Sequence, residues 1–144
     1  MEDCLLTYPE PEQCKFIFKS SFIILFPALF AFYKGYTVVG LIQLTIFFSS
    51  LNYWKDPKID SWQRKLDIVC VVFGVSYQIL CSFGAEYQGV YSLFIALGVL
   101  SYFYSKKLLE KKKWWPSVYF HSLMHVLINT GIVILYSGAL PLGH

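Results

Sequence analysis

The sequence predicts an all-α polytopic membrane protein, a five-helix transmembrane bundle with its N-terminus cytoplasmic and its C-terminus exoplasmic. Three observations carry this. Hydrophobic residues make up 56% of the 144-residue chain against 15% charged, and mean hydropathy is +0.52, far more apolar than an ordinary soluble domain. Five apolar runs approach or reach the roughly 17–25 residues that a bilayer-spanning helix needs. The basic residues fall almost entirely on one side of those runs, as cytoplasmic loops do. A chain this short has room for one bundle and no separate soluble domain. The net charge of +3 is spent in the loops between spans and does not indicate nucleic-acid binding.

Residues 1–15 read as a flexible leader, polar and acidic (Glu2, Asp3, Glu10, Glu12), with Pro9 and Pro11. They lack the basic region and apolar core of a cleavable signal peptide, so the first span is expected to act as an uncleaved anchor. The single bundle covers 16–137, with spans expected at about 16–33, 36–53, 66–83, 90–104 and 117–137 and a short tail at 138–144. Pro27 inside the first span is tolerable because neighbouring helices re-satisfy the freed carbonyl, and Lys19 can snorkel to the headgroups. Lys34-Gly35 makes a tight turn. Gln43, alone in the second span, is the type of residue that bridges membrane helices. The charged connector from Lys55 to Lys65 leads to Asp67 at the start of the third span. Glu86 falls in a solvated loop before the fourth, and the basic stretch Lys106 to Lys113 precedes the fifth.

Eleven of the twelve Lys and Arg residues lie on one side of the spans and only Lys34 on the other. Trp54, Trp62, Trp114 and Trp115 flank the basic side as an interfacial aromatic belt. This topology brings distant residues to one leaflet. His121 and His125 are one turn apart on one face of the last span, roughly 6 Å from each other. Ser117 and Asn129 extend that stripe at either end. Ser49 and Ser50 close the second span, and Asp67 opens the third. Ionisable groups inside a membrane helix face the bundle or a water-filled cavity, so these side chains are expected to meet.

Three chemistries suit the cluster. Imidazole nitrogens and a carboxylate can hold Zn²⁺, and three protein ligands with an open fourth position let a bound water ionise at about pH 7. His121, His125 and Asp67 are the candidate ligands. Asp67 beside a histidine could instead form an ion pair or proton relay. The third reading is a structural hydrogen-bond network between helices, at about 1 kcal/mol or less per bond, in a non-enzymatic membrane protein or partner subunit.

The pattern resembles the CREST superfamily, which includes alkaline ceramidases and progestin/adiponectin receptors. In that family a Ser-x3-His motif closes the second helix of a seven-helix bundle, an Asp opens the third, and His-x3-His lies in the last. Ser50, Asp67, His121 and His125 match by order, helix and membrane side. Trp54 stands where the family has its third histidine, and five spans stand where it has seven. The resemblance implies a zinc-dependent hydrolase of lipid amides acting on a ceramide-type sphingolipid among membrane lipids. His121 and His125 would hold the metal, Asp67 would orient the water or complete the metal shell, and Ser50 would hydrogen-bond nearby.

The cysteines read as packing residues, with Cys70 and Cys81 about 16 Å apart along one helix and too far to bridge. Cys4 and Cys14 are expected reduced, with Cys14 a candidate for lipidation. Lys111 to Lys113 anchor the topology, and His144 belongs to the opposite side from the cluster. A glycosylation acceptor added to the tail of the full chain should be modified in microsomes, and one added to the leader should not. The reverse pattern would overturn the orientation.

Overall fold

The computed structural model describes residues 7–141. Its elements are helices α1 (Pro11–Ser20), α2 (Leu25–Tyr33), α3 (Thr37–Trp54), α4 (Trp62–Ser82), α5 (Gln88–Glu110) and α6 (Trp114–Ser137), with a 3-10 turn, Ser21–Ile24, joining α1 to α2. No strand occurs among the described residues. The first span therefore runs from Pro11 to Tyr33, and it and α3 to α6 are each long and apolar enough to cross a membrane. Large apolar side chains point outward, with Phe48 62% and Leu100 65% exposed, while Gln13, Gln43 and Gln78 are buried. That inversion supports a multi-pass membrane protein, since lipid replaces water around the bundle.

Helix boundaries differ from the sequence expectation at several places; α4, for example, starts at Trp62, where the Ser61 side chain accepts from the Arg64 N–H, and not near residue 66. The first helix starts at Pro11 and not near residue 16. Proline suits the first helical position, where no N–H is needed. Gln13 then folds back onto Glu10, bonding its backbone N–H at 3.4 Å and its carboxylate at 3.1 Å. Within that span Pro27 lacks the N–H that Ile23 would use, and the tight 3-10 turn sits at that carbonyl. The fourth span continues past Tyr104 to Glu110, because hydropathy stops at Lys106 and Lys107 but the helical backbone does not. Positive charge in the last turn also suits the helix dipole.

The described part of the leader is held by hydrogen bonds to the rest of the chain. Thr7 donates its backbone N–H to Pro57 at 2.9 Å and its hydroxyl lies 2.6 Å from that of Tyr53. Tyr8 is buried with its hydroxyl 2.9 Å from that of Ser117. These bonds gather the leader, the α3–α4 connector and the start of α6 at one end, which is the basic end. At the other end, the Tyr36 hydroxyl donates to Gly138 O at 2.9 Å, Lys34 reaches Ser137 O, and the exposed Glu86 accepts from the Ala139 N–H.

Packing follows small residues. The face of α5 that meets α6 carries Tyr91, Ile95, Gly98, Ser101, Ser105 and Leu108, a three-and-four repeat with small residues in its second half. Small residues let membrane helices approach closely. Ser101 donates to Phe120 O at 2.7 Å, Ser105 donates to Ser117 O at 2.9 Å, and Ser117 donates back to Ser105 O at 2.9 Å. Gly98 meets Ile128, and Gly131 meets the root of Phe94. The helices form an open arc in the order α4, α3, first span, α6, α5, and the two end helices, α4 and α5, make no extensive contact with each other. Lys19 is exposed, and Cys14 and Cys70 carry free thiols. Cys14 is buried beside Tyr8 and Trp54 and not displayed to the membrane.

A Cβ added to Gly131 would lie 2.7 Å from the Cβ of Phe94, whereas Gly89 has open space around it. Gly131→Leu should lower stability by about 1–3 kcal/mol through overpacking, and Gly89→Leu should leave it unchanged, both read from reversible unfolding in mixed micelles.

Candidate functional site

Ser50, Asp67, His121 and His125 come from α3, α4 and α6 and line one cavity of about 370 Å³ at the basic end. Ser49 and Ser50 are adjacent in the last turns of α3, and both donate to Oδ1 of Asp67, at 3.0 and 2.7 Å. The carboxylate thus ties α3 to the start of α4. Neither imidazole makes a side-chain hydrogen bond among the described residues. His121 lies edge-on to Trp54 with ring centroids 5.1 Å apart, 6.1 Å from the Tyr102 ring and 5.1 Å from His125. The Nε2 of His125 is buried without a hydrogen-bond partner among the described residues. An unpaired buried polar atom of this kind costs about 1–3 kcal/mol.

Below the histidines lies a buried amide ladder. Gln78 of α4 donates to Gln43 of α3 at 2.7 Å, Gln43 donates to Asn129 of α6 at 2.9 Å, and Asn129 donates to the His125 carbonyl at 2.7 Å. Gln43 does bridge helices, as its type suggests. The ladder also sets depth. At about 1.5 Å per residue, Asp67 is roughly 16 Å from the Gln78 level, His121 about 12 Å from the Asn129 level, and His125 about 6 Å from it. Asp67 is thus closer in depth to His121 than to His125.

That spread bears on metal binding. Among the described residues no group of three His, Cys, Asp or Glu side chains is close enough to hold a metal ion. Two imidazoles are at hand, Asp67 is engaged by two serines, and the aromatic ring of Trp54 packs against His121 where a third histidine would help. Indole N–H is a donor only and cannot ligate. As placed, the donor set does not fit a three-ligand zinc site. His144 lies outside the described residues, as does Cys4.

Sequence reasoning missed Arg64, Tyr102, Lys106 and Tyr8, which also line the cavity. A helical signal for the first was present: Arg64, Asp67, Ile68, Val71 and Val75 are spaced 3, 4, 7 and 11 residues along one face of α4. Lys106 follows Tyr102 by four residues and Val99 by seven on α5, and it lies over the Tyr102 ring at 5.4 Å. Tyr8 had no such signal. Ser117, expected to extend the histidine stripe, instead joins Tyr8 and Ser105. Burial pushes the Tyr8 phenol above its ordinary value, against the opposing hydrogen bond with Ser117, so it stays neutral.

Comparison with protein-family models, with curated proteins and with solved structures finds no match to this chain.

Removing one member of the amide ladder should cost more than its share of the cost of removing all three. Gln43→Leu leaves Gln78 Nε2 and Asn129 Oδ1 without their partner and should destabilise by about 1–3 kcal/mol. The triple Leu variant at Gln43, Gln78 and Asn129 should lose less than the sum of the three single changes. Unfolding free energies in mixed micelles check both statements.

Proposed function

We propose that this chain is an integral membrane protein that takes up a membrane amphiphile, a lipid amide of the ceramide type, in the cavity at its basic end, and that this end faces the cytoplasm. The observation that carries the reading is the lining of that cavity. Polar groups from three helices, Ser50, Asp67, His121 and His125, share it with Val71, Val72, Val75, Val99 and Ile128. A cavity of this size that is mainly apolar with a few convergent polar groups is the usual form of a small-molecule site. The acyl chain lies along the valines and the head group meets the polar end.

The chemistry at that end is complementary to an amide. Asp67 takes both serine bonds on Oδ1, so Oδ2 is left to accept from an amide N–H or hydroxyl. The Nε2 of His125, buried without a protein partner among the described residues, gains one from the head group. The alternative of a purely structural cluster is met by Asp67 with its serines and by the amide ladder, but it leaves the two imidazoles without a role. Orientation rests on the eleven basic residues at one end.

A second reading, zinc-dependent hydrolysis of the bound amide, is favoured by that same orphaned Nε2 beside His121, together with the resemblance to the CREST superfamily. Zinc would supply Lewis acidity and an ionised water, and the present donor set is one ligand short of holding it in the usual way. Metal content of purified protein supplied with zinc, alongside His121→Ala/His125→Ala, decides this reading. Near-stoichiometric zinc lost in the variant supports it, and metal-free folded protein overturns it.

The uptake reading is tested with short-chain ceramide and protein in neutral lipid nanodiscs, followed by the fluorescence of Trp54, which lines the cavity. Val75→Trp fills the space and should weaken saturable binding at least tenfold, followed by displacement of a labelled ceramide. Equal binding by wild type and this variant, with both folded, would contradict uptake into the cavity.

A further inference from the structure

We infer that the cavity selects an amphiphile with a phosphate-bearing head, held between Arg64 and Lys106, whose chain enters sideways between α4 and α5. This rests on the uptake reading above and adds the charge of the ligand and its route. Arg64 on α4 and Lys106 on α5 both line the cavity, with Asp67 as the one other charged lining residue. The lining thus carries one net positive charge. Neither cation forms an ion pair with a carboxylate among the described residues, where the ion pairs are Lys15 with Glu12 and Lys58 with Asp56. Asp67 is committed to Ser49 and Ser50. Arg64 spends one guanidinium nitrogen on the Ile59 carbonyl at 2.9 Å, which fixes one arm of its fork and leaves other N–H groups to donate.

Two half-buried cations facing one cavity repel each other, and the cost grows as the bilayer lowers the local dielectric. A neutral ceramide head would leave both unpaired. A phosphate monoester offsets them with up to two charges, accepts a bidentate bond from the guanidinium, and takes the ammonium as a point charge. The same ligand can keep its amide or hydroxyl on Asp67. The route follows from packing. α4 and α5 supply Val71, Val72, Val75 and Val99 to the wall yet make no extensive contact with each other, so the gap between them connects the cavity to lipid. A free phosphate would gain nothing from that apolar wall, so the phosphate belongs to a lipid.

The experiment compares ceramide and ceramide 1-phosphate of equal chain length on the full chain in neutral nanodiscs. Inorganic phosphate serves as competitor. Wild type should bind the phosphorylated lipid at least tenfold more tightly. Arg64→Gln/Lys106→Gln should equalise the two lipids, and Lys111→Gln/Lys112→Gln, at the same end but outside the cavity lining, should retain the preference. Equal wild-type affinities overturn the inference and leave the uptake reading intact, and this arm decides even where the variant does not fold. Binding of neither lipid overturns both. A preference that survives in the Arg64/Lys106 variant, or disappears in the Lys111/Lys112 variant, assigns it to surface charge and overturns the inference. Displacement of the lipid by inorganic phosphate at equal concentration overturns it as well.

Discussion

The amide ladder from Gln78 through Gln43 to Asn129 is the contact on which the cavity depends. It joins α4, α3 and α6, the same three helices that carry Asp67, Ser50 and the two histidines. Membrane helices gain no hydrophobic drive from packing on each other, so buried hydrogen bonds and close small-residue contacts set which helices meet. α4 is the case in point. Its buried residues are Gly74, Gln78, Cys81 and Ser82, all on the side towards the ladder. Gln78 and Asp67 tie it to α3, one bond site near each end, and Tyr77 and Cys81 pack its C-terminal part into the core cluster that holds Tyr91 and Tyr136. Between them the helix stands away from α5, and the space so left is the cavity.

The polar groups at the two ends of that space behave differently. The ladder amides bond to one another in series, and Asp67 accepts from two serines. The imidazoles have no such bonds, since Trp54 offers His121 only the edge of a ring and His125 Nε2 has no partner among the described residues. Buried polar atoms in proteins are nearly always paired with protein, water or ligand. The bundle links three amides and a carboxylate across its helices and leaves two histidines facing a mostly apolar space, the feature on which the proposed uptake rests; among the described residues Gln78 Oε1 and the Tyr91 and Tyr136 hydroxyls are likewise buried without a hydrogen-bond partner. Arg64 and Lys106 add charge to the same wall.

Much of this was legible in the sequence. The i and i+4 spacing of His121 and His125, with the alternation of loops, placed them in one leaflet with Ser50 and Asp67, and the structure brings all four to one cavity. Arg64 and Lys106 pass in the sequence for topology anchors, since a basic residue near a helix end looks the same whether it snorkels to headgroups or lines a cavity. Only the helical offset to Asp67 and to Tyr102 separates the two cases. Tyr8 could not be placed at all, because its contact with Ser117 joins residues 109 apart. The ends of α1 and α5 were missed because hydropathy falls at charged and capping residues while the backbone ladder continues.

The most direct measurement is photo-crosslinking with an N-acyl amino alcohol carrying a diazirine near its head, in nanodiscs, followed by peptide mapping. His121 and His125 are 8% and 7% exposed, out of reach of surrounding bulk lipid. Saturable labelling at His121 to His125, competed by unlabelled lipid, is the result that uptake into the cavity predicts. Labelling confined to outward residues such as Phe48, Leu100 and Phe103, and insensitive to competitor, would contradict it.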